Sequence, residues 1–325
     1  MDVDVSLEKK KELFFIMLRV RRVQARIESL YLQDEMKTPV HLCIGQEAIA
    51  AGVCAAMNID DYISSNHRGH GHYLAKGGDL NAMIAELHCK QTGCSKGYGG
   101  SMHLVDTSVG HLGSSSIVGG GIPIGTGLGL AIQMEKSKKV SSIFFGDGAA
   151  DEGVLYESIN FAILKKLPVI FVLENNHWAV CSHVSQRQHD KNIFHGAPSD
   201  SLYAVEIDGN SVLEVYGVAK QAVKRARDGL GPSFIECKTY RILGHAGCAA
   251  QDANGYRDTC EIEEWAAKCP VTSFQAYLLE HGALDPDQIQ KMEERIDAEI
   301  DAAFMFAQKS ALPEDENIHN YLFSE

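Results

Sequence analysis

The spacing of apolar residues at the two ends of the chain predicts long amphipathic helices. Apolar positions recur at helical spacing through residues 7–31, with charged residues between them. Shorter helices are predicted at about 46–57 and 79–90, and the second begins with an aspartate suited to cap its N-terminus. A long charged helix is predicted at about 286–308, with Asp285 as its N-cap.

Between these ends the chain alternates between apolar strands and helices. The predicted strands cover about 140–145, 168–173, 203–207 and 233–238. The predicted helices between them cover about 122–135, 154–166 and 212–228. Such alternation is typical of an α/β fold, so we expect a doubly wound, mainly parallel sheet with helices on both faces and a helical C-terminal tail.

One long stretch does not fit this alternation. Residues 93–121 are rich in Gly and Ser and have few periodic apolar positions, which predicts a long ordered loop. Loops of this length inside compact domains usually have a function. Because the sequence contains neither a Pro/Ser/Gly-rich linker nor an internal repeat, we expect residues 1–325 to form a single domain.

The composition restricts the kinds of partner. The chain has 325 residues, of which 45% are apolar, enough for a large buried core, and its formal net charge is −13. Such an acidic chain is a poor ligand for nucleic acid or for anionic membrane surfaces. The longest apolar stretch, residues 118–132, is interrupted by glycines and a proline and is too short to span a bilayer. We therefore expect neither nucleic acid nor a membrane as a partner.

The cysteines indicate the redox compartment. Nine are scattered along the chain and none belongs to a C-x-x-C pair, so they predict neither a zinc site nor a redox motif. An odd number of cysteines fits reduced thiols, and the charged N-terminus lacks the features of a signal peptide. These features together predict a cytoplasmic protein.

Polar residues stop two of the predicted strands at points where chemistry is expected. Gly146-Asp147-Gly148 follows one apolar strand, and Asn175-Asn176 follows the next. Because the carboxyl ends of parallel strands lie at one edge of a sheet, Asp147 and Asn176 should lie close together. Carboxylate and amide oxygens suit Mg²⁺, which leaves other positions to phosphates and water, and the helix beginning near Gly153 would direct its N–H groups to the same place. Each motif alone is a common turn or strand cap, but together they match the thiamine-diphosphate motif.

Four more motifs extend this similarity over most of the chain. They are His41-Leu-Cys-Ile-Gly-Gln-Glu-Ala48, Asn66-His-Arg-Gly-His-Gly-His72, Lys96-Gly-Tyr-Gly-Gly-Ser-Met-His103 and Ile117-Val-Gly119. In this order, from about residue 10 to residue 270, the sequence resembles the alpha subunits of pyruvate and acetoin dehydrogenases. The resemblance implies the thiamine-diphosphate-binding fold, with thiamine diphosphate and Mg²⁺ as cofactors.

The resemblance assigns roles at the two strand ends. It implies that Asp147, the Asn176 side chain and the main-chain carbonyl of Trp178 bind Mg²⁺. It also implies that the backbone amides of Gly148 and Ala149 bind the diphosphate. A Trp at position 178 departs from the usual Tyr, but a carbonyl ligand tolerates any side chain that packs.

Further cofactor contacts are implied on the other side of the site. Arg68 resembles the arginine that holds the diphosphate, since a guanidinium group can bind phosphate through two donors; a surface salt bridge is the alternative. His67 stands where pyruvate dehydrogenases usually have Tyr, and His is more typical of acetoin dehydrogenases. Ser116 and Val118 match positions whose carbonyls contact the aminopyrimidine ring. The glycines at 119–121 would allow that close approach, although they would equally allow tight helix packing.

Two of the fourteen histidines resemble the active-site histidines of the family. These are His41 and His245, and the latter is also expected next to the cofactor. A histidine suits catalysis because its neutral and charged forms are both accessible near pH 7. We expect His103, His111 and His183 to be structural.

The sequence departs from the family in several places. Tyr98 replaces a common lysine, residues 149–153 differ from the usual Asn-Gln-Gly form, and residues 246–252 lack the regulatory serine of pyruvate dehydrogenases. These departures leave the substrate and the acyl acceptor open, but they do not alter the cofactor ligands.

The resemblance implies an alpha subunit that cleaves acetoin, or decarboxylates pyruvate or a related 2-oxo acid, and transfers the acyl group to a lipoyl acceptor. The glutamate that activates the cofactor belongs to a beta subunit in this family, so we expect two alpha and two beta chains, with a lipoyl acyltransferase core as a further partner. One alternative is a free-standing alpha/beta acyloin synthase or lyase. Another is a binding module without chemistry, which the retained site residues disfavour.

Overall fold

The structure, a computed structural model, describes residues 5–189, 202–247 and 255–314. The first part of the chain forms mainly helices: α1 (Leu7–Tyr31), α2 (Glu47–Ala55), α3 (His70–Ala75) and α4 (Leu80–Leu87). The predicted aspartate cap is present, because the Asp79 carboxylate accepts hydrogen bonds from the main-chain N–H groups of Asn81 and Ala82 at the start of α4.

A six-stranded sheet forms the centre of the molecule. The strands found in the described residues are β1 (Tyr62–Asn66), β2 (His111–Ser115), β3 (Ser141–Gly146), β4 (Val169–Asn175), β5 (Trp178–Ala179), β6 (Ser182–His183), β7 (Tyr203–Asp208) and β8 (Ser233–Lys238). The sheet has the order β2-β1-β3-β4-β8-β7, and every neighbouring pair in it is parallel. The short strands β5 and β6 pair separately as an antiparallel hairpin.

Helices cover both faces of the sheet. The remaining helices are α5 (Gly121–Met134), α6 (Gly153–Lys165), α7 (Val212–Arg227), α8 (Thr259–Ala267), α9 (Pro270–Glu280) and α10 (Pro286–Lys309). Strand β4 is buried along its whole length, and its side chains alternate between two cores, as a strand between two helical layers requires. Phe171 packs toward α5 and α6, whereas Val172 packs toward α2 and α7.

A third core lies among helices. It is formed mainly by apolar residues of α1, α4, α9 and α10, such as Phe14, Met83, Leu278 and Ile300. A capping box at Asp285 and Gln288 begins α10, as the sequence predicts for this aspartate. The predicted α/β fold with a doubly wound parallel sheet and a helical C-terminal stretch is therefore confirmed.

Four strands were not predicted: β1 and β2 of the six-stranded sheet, and the short strands β5 and β6 of the hairpin. The stretch 93–121, predicted to be a loop, contains a short 3-10 helix at Thr107–Val109 and the edge strand β2. Strand β1 also escaped prediction, although it lies inside the sheet between β2 and β3. The physical reason is that β1 buries hydroxyl groups in place of aliphatic side chains: Ser64 donates to the carbonyl of Gly121, and the hydroxyl of Ser65 lies 2.7 Å from Nδ1 of His72.

In the ranges that the structure describes, no helix combines the length and the apolar character needed to cross a membrane.

Candidate active site

A cavity of about 240 Å³ opens at the carboxyl ends of β1, β3 and β4. The chain places β2 on one side of β1 and then returns to place β3 on the other side, so the strand order reverses here. Such a switch point is where open parallel sheets bind ligands. The cavity is lined by all the predicted site residues except His41 and Ser116, namely His67, Arg68, Val118, Asp147, Gly148, Ala149, Asn176, Trp178 and His245.

The register of β3 and β4 brings the two predicted metal ligands to one edge. Gly146 is paired with Glu174, so Asp147 and Asn176 both lie just past the paired ends of their strands. Asp147 is only 1% exposed. The Asn176 side chain donates to Oε1 of Gln46 over 3.2 Å, and its own oxygen accepts the N–H of Trp178 over 3.1 Å. These contacts hold the Asn176 oxygen toward the segment that carries Trp178.

The buried Asp147 carboxylate has an internal counter-cation. The Arg187 guanidinium forms an ion pair with Asp147 and a second one with Asp151. Burial raises the pKa of Asp147, and the neighbouring Arg187 counteracts part of this increase. A metal ion that binds Asp147 therefore has to compete with Arg187 or displace it.

The backbone between β3 and α6 leaves room for a ligand. A Cβ atom added to Gly146 or Gly153 would meet no heavy atom within 4 Å, whereas one added to Gly148 would lie 2.9 Å from the Cβ of Ala179. Ala149 begins a 3-10 turn that leads into α6. Main-chain N–H groups in the first turn of a helix lack intrahelical acceptors and suit an anionic ligand.

Arg68 brings a buried positive charge to the opposite side of the cavity. Its guanidinium donates to the main-chain carbonyls of Leu42 and His245, over 2.6 Å and 3.2 Å, and neither acceptor is charged. Burial, and then repulsion by the Arg241 guanidinium, lower the pKa of Arg68 to about 10, so the group stays protonated at neutral pH. A buried cation whose acceptors within the described ranges are neutral favours an anionic ligand.

Three histidines meet beside Arg68. The ring centroid of His41 lies 4.7 Å from that of His67 and 4.9 Å from that of His245. Burial and the charge of Arg68 lower the pKa values of these histidines, to about 2 for His41, about 3 for His67 and about 4 for His245. All three rings are therefore neutral at pH 7, and each has a nitrogen lone pair that can accept a proton.

Of the two residues assigned to the aminopyrimidine ring, Ser116 and Val118, only Val118 lines the cavity. Val118 lines the cavity and is 51% exposed, and Ser115 and Ile117 line it as well, while Ser116 is not among the lining residues. Of the histidines predicted to be structural, His111 is fully buried in β2 and His103 is exposed with Nδ1 against the carbonyl of Gly99. Most of the divergent stretch at 246–252 lies outside the described residues.

Several lining residues were not singled out from the sequence. Gln46 contacts Asn176, and its Nε2 is buried without a hydrogen-bond partner among the described residues. Glu174 accepts from Asn66 and lies 3.2 Å from Nε2 of the buried His72. The signal for Gln46 was its place in the quoted motif that begins at His41, but no local pattern marks Arg187.

The whole length of the chain is similar to known dehydrogenases. The family model described as "Dehydrogenase E1 component" matches residues 16–316. The alpha subunit of the acetoin:2,6-dichlorophenolindophenol oxidoreductase of Bacillus subtilis is 39% identical over 317 residues, covering 97% of this chain and 94% of the relative. The alpha subunit of the pyruvate dehydrogenase E1 component of Rickettsia bellii is 31% identical over 99% of this chain and 100% of its own length. The chloroplastic subunit alpha-3 of the same component from Oryza sativa is 35% identical, with 99% of this chain and 77% of the relative covered.

The part of the chain that matches the family contains the whole cavity. The family model spans every element that lines the cavity, from the His41 segment to His245. The resemblance inferred from the sequence motifs is therefore confirmed. This chain belongs to the family of dehydrogenase E1 components, thiamine-dependent oxidoreductases whose alpha subunits it matches from end to end.

Proposed function

We propose that this chain is the diphosphate-binding alpha subunit of an enzyme that oxidatively cleaves acetoin, with pyruvate or a related 2-oxo acid as the alternative substrate. The observation that carries this proposal is the convergence of two sets of residues on one cavity. Oxygen ligands at the ends of β3 and β4 lie on one side, and the Arg68–histidine cluster lies on the other. A diphosphate bound through a metal ion requires both.

The residues present fit Mg²⁺ and thiamine diphosphate. The carboxylate of Asp147, the side-chain oxygen of Asn176 and the carbonyl of Trp178 would hold the metal ion, since Mg²⁺ prefers hard oxygen ligands. The Asn176 oxygen uses one lone pair for the N–H of Trp178, which leaves the other for the metal. The main-chain N–H groups of Gly148 and Ala149 would bind the diphosphate.

Thiamine diphosphate, when bound, supplies the carbon nucleophile and the electron sink for cleavage next to a carbonyl. Arg68 would fix the diphosphate, because its charge is buried and its acceptors in the described part of the chain are neutral carbonyls. The carbonyls of Ser116 and Val118 would face the aminopyrimidine ring, and His67 would contact the cofactor between them and Arg68. Ile117, which lines the cavity, keeps this rim apolar.

His41 and His245 would move protons at the substrate oxygen. Both rings are neutral in the free chain, so they can accept a proton. The negative charge of a bound diphosphate would raise their pKa values toward neutrality, where an acid–base group is most effective. The cofactor would thus activate the residues that act beside it.

Acetoin is favoured over pyruvate by two features. His67 lies in the cavity at the position where the pyruvate dehydrogenases usually carry Tyr. A relative that matches 97% of the chain at 39% identity is the acetoin:2,6-dichlorophenolindophenol oxidoreductase subunit of Bacillus subtilis. The same similarity favours a dehydrogenase over a free-standing acyloin synthase or lyase.

A beta subunit is proposed as the partner, in a heterotetramer of two alpha and two beta chains. The rim of the cavity is apolar and exposed, since Ile117 is 70% and Val118 is 51% exposed. Nearby helices α5 and α6 also expose Ile124, Met134 and Leu164. Apolar patches of this kind are typical of protein interfaces. The beta chain would cover the cavity and add the glutamate that activates the cofactor, and a lipoyl acyltransferase core would accept the acyl group.

The test is turnover with acetoin and with pyruvate, measured with 2,6-dichlorophenolindophenol as the electron acceptor so that no lipoyl core is needed. We expect no turnover by the purified chain, and turnover after addition of the beta subunit, with a higher kcat/KM for acetoin. Substantial turnover by the chain alone would contradict the shared site. Carboligation without reduction of the dye would instead favour the acyloin synthase.

A further inference from the structure

A second cluster of metal-binding side chains lies outside the cavity. It consists of His177, which follows β4, His183 in β6, and Glu261 in α8. Their ligand atoms all lie within 4.8 Å of one another, and all three residues are partly exposed. None of the three lines the cavity described above. The role of the cluster is thus not explained by the cofactor site.

An aromatic frame fixes two of the three side chains. The ring of His177 packs edge-on against Trp265, with centroids 5.6 Å apart. Trp265 stacks on Tyr240 with an interplanar angle of 6°, and the Tyr240 hydroxyl donates to Oε2 of Glu261 over 3.1 Å. Glu261 therefore retains a free position on its carboxylate, and its orientation is set before any ion binds.

His183 is oriented by a different contact. Its Nδ1 lies 2.8 Å from the hydroxyl oxygen of Ser185, and the main-chain N–H of Ser185 approaches the same nitrogen at 3.3 Å. The N–H donates to Nδ1, so the ring proton of the metal-free chain lies on Nε2. When a metal ion binds Nε2, that proton is lost from Nε2 and the ring is protonated at Nδ1, which then donates to the hydroxyl. Metal-binding histidines are usually held in this way, with the nitrogen that does not bind the metal donating to an oxygen.

The backbone at His177 also sets this residue apart. Its φ of 70° lies in the left-handed region, which residues other than glycine seldom adopt. Residues kept in such a conformation often serve a function that repays the strain. Here it turns the chain sharply between Asn176 and Trp178, so that the His177 ring faces α8.

We propose that His177, His183 and Glu261 bind a divalent transition metal of the zinc class. Two imidazole nitrogens and one carboxylate oxygen form a donor set that Zn²⁺ accepts in tetrahedral geometry, with water as the fourth ligand. Small side-chain rotations bring the three atoms to about 2.0–2.1 Å from one ion. The ion links the β5–β6 hairpin to α8, and it does so directly beside Asn176 and Trp178.

The probe is the metal alone. Zn²⁺, and Co²⁺ for its visible absorption, are titrated into the chelator-treated full chain at about pH 8, where imidazole is neutral. The histidine cluster His41–His67–His245 is also within reach of a single ion. All measurements are therefore made in the His41→Ala background, and circular dichroism confirms that each variant is folded.

We expect one equivalent of Zn²⁺ to bind and to raise the Tm. His183→Ala and Glu261→Gln should abolish this equivalent, while Ser185→Ala should weaken it by about 10–100-fold, the usual effect of removing an orienting partner. His103→Ala, which alters an exposed histidine elsewhere, serves as the matched control and should bind like the parent. Binding that persists in both ligand variants, or no binding in the parent, overturns the proposal.

Discussion

Two sides of the cavity are constructed differently. The oxygen edge, formed by Asp147 and Asn176, consists of residues that directly follow two neighbouring strands of the sheet. The basic wall is formed by His67, Arg68 and His245, with the ring of His41 packed against those of His67 and His245, so it is assembled from three segments that are far apart in the sequence. Sheet register alone therefore determines the first side, whereas the second depends on how loops pack against each other.

The two sides also differ in how their charge is compensated. The Asp147 carboxylate pairs with the Arg187 guanidinium inside the same chain. Among the described residues, the Arg68 guanidinium donates to carbonyl groups, and neutral histidines lie beside it. A metal ion must therefore compete with Arg187 for the oxygen edge, whereas at the basic wall the hydrogen-bond acceptors of Arg68 among the described residues are neutral.

The largest expected effect concerns the basic wall and separates catalysis from binding. In the reconstituted alpha/beta enzyme, His245→Ala should lower the rate at saturating cofactor by about 10²–10⁴-fold, the usual contribution of a positioned acid or base. Its affinity for thiamine diphosphate should change much less, because the ring is neutral in the free chain. The measurement is the steady-state rate beside calorimetric cofactor affinity.

Arg68→Ala serves as the internal control, since it removes the charge next to the same histidines. In this variant cofactor affinity should fall first, because a charge-assisted contact with the diphosphate is lost. If His245→Ala were fully active at saturating cofactor, this histidine would only bind the cofactor or support the structure of the site, and the catalytic assignment would be wrong.

The second effect concerns the oxygen edge. Asp147→Ala should weaken Mg²⁺-dependent binding of thiamine diphosphate by about 2–5 kcal/mol, or roughly 30-fold to several thousandfold, because one partner of a buried charge contact is removed. The fold should be retained, since the side chain lies past the end of β3 and contributes little to core packing. Calorimetric titration with and without Mg²⁺ measures the change.

Asp151→Ala is the matched variant, because Asp151 pairs with the same arginine and is more exposed. It should leave metal-dependent binding nearly unchanged. If both variants lost the same amount of metal-dependent binding, the metal would be attracted by the general negative charge of the site and not by Asp147 as a specific ligand.

The sequence predicted those parts of the fold whose burial is apolar. Strands β3, β4 and β8 each contain a run of consecutive buried aliphatic or aromatic residues, such as Ile143–Phe145 in β3, and each was predicted within two residues of its observed ends. Strands β1 and β2 were missed because polar residues, Ser64, Ser65 and His111, occupy three of their four buried positions. In β1 the Ser64 hydroxyl donates to the carbonyl of the distant Gly121, a contact that no local pattern reveals.

The candidate site also contains residues that local sequence patterns predict and residues that they do not. Asp147 and Asn176 could be brought together by reasoning from strand ends alone, because parallel neighbours share one carboxyl edge. His41 and His245 could be named only through resemblance to a family, since 204 positions of chain separate them and neither ends a strand. Gln46 and Arg187 reach the site through tertiary packing; Gln46 had a signal only through the family motif that begins at His41, and Arg187 had none.

The smallest expected effect asks whether Arg187 and the metal compete for Asp147. Arg187→Gln should lower the Tm of the metal-free chain, because a buried carboxylate loses its counter-charge, and should raise the affinity for Mg²⁺ by about tenfold. The gain in Mg²⁺ affinity is smaller than the ~3–5 kcal/mol typical of a broken buried pair, because Arg187 is partly exposed and the carboxylate faces the cavity.

Thermal unfolding at increasing Mg²⁺, without cofactor, measures both the Tm and the Mg²⁺ affinity. Arg22→Gln, which breaks an ion pair between α1 and α10, controls for a general loss of stability. A lower Mg²⁺ affinity in Arg187→Gln would contradict the competition and would instead assign Arg187 to holding the carboxylate in place for the metal.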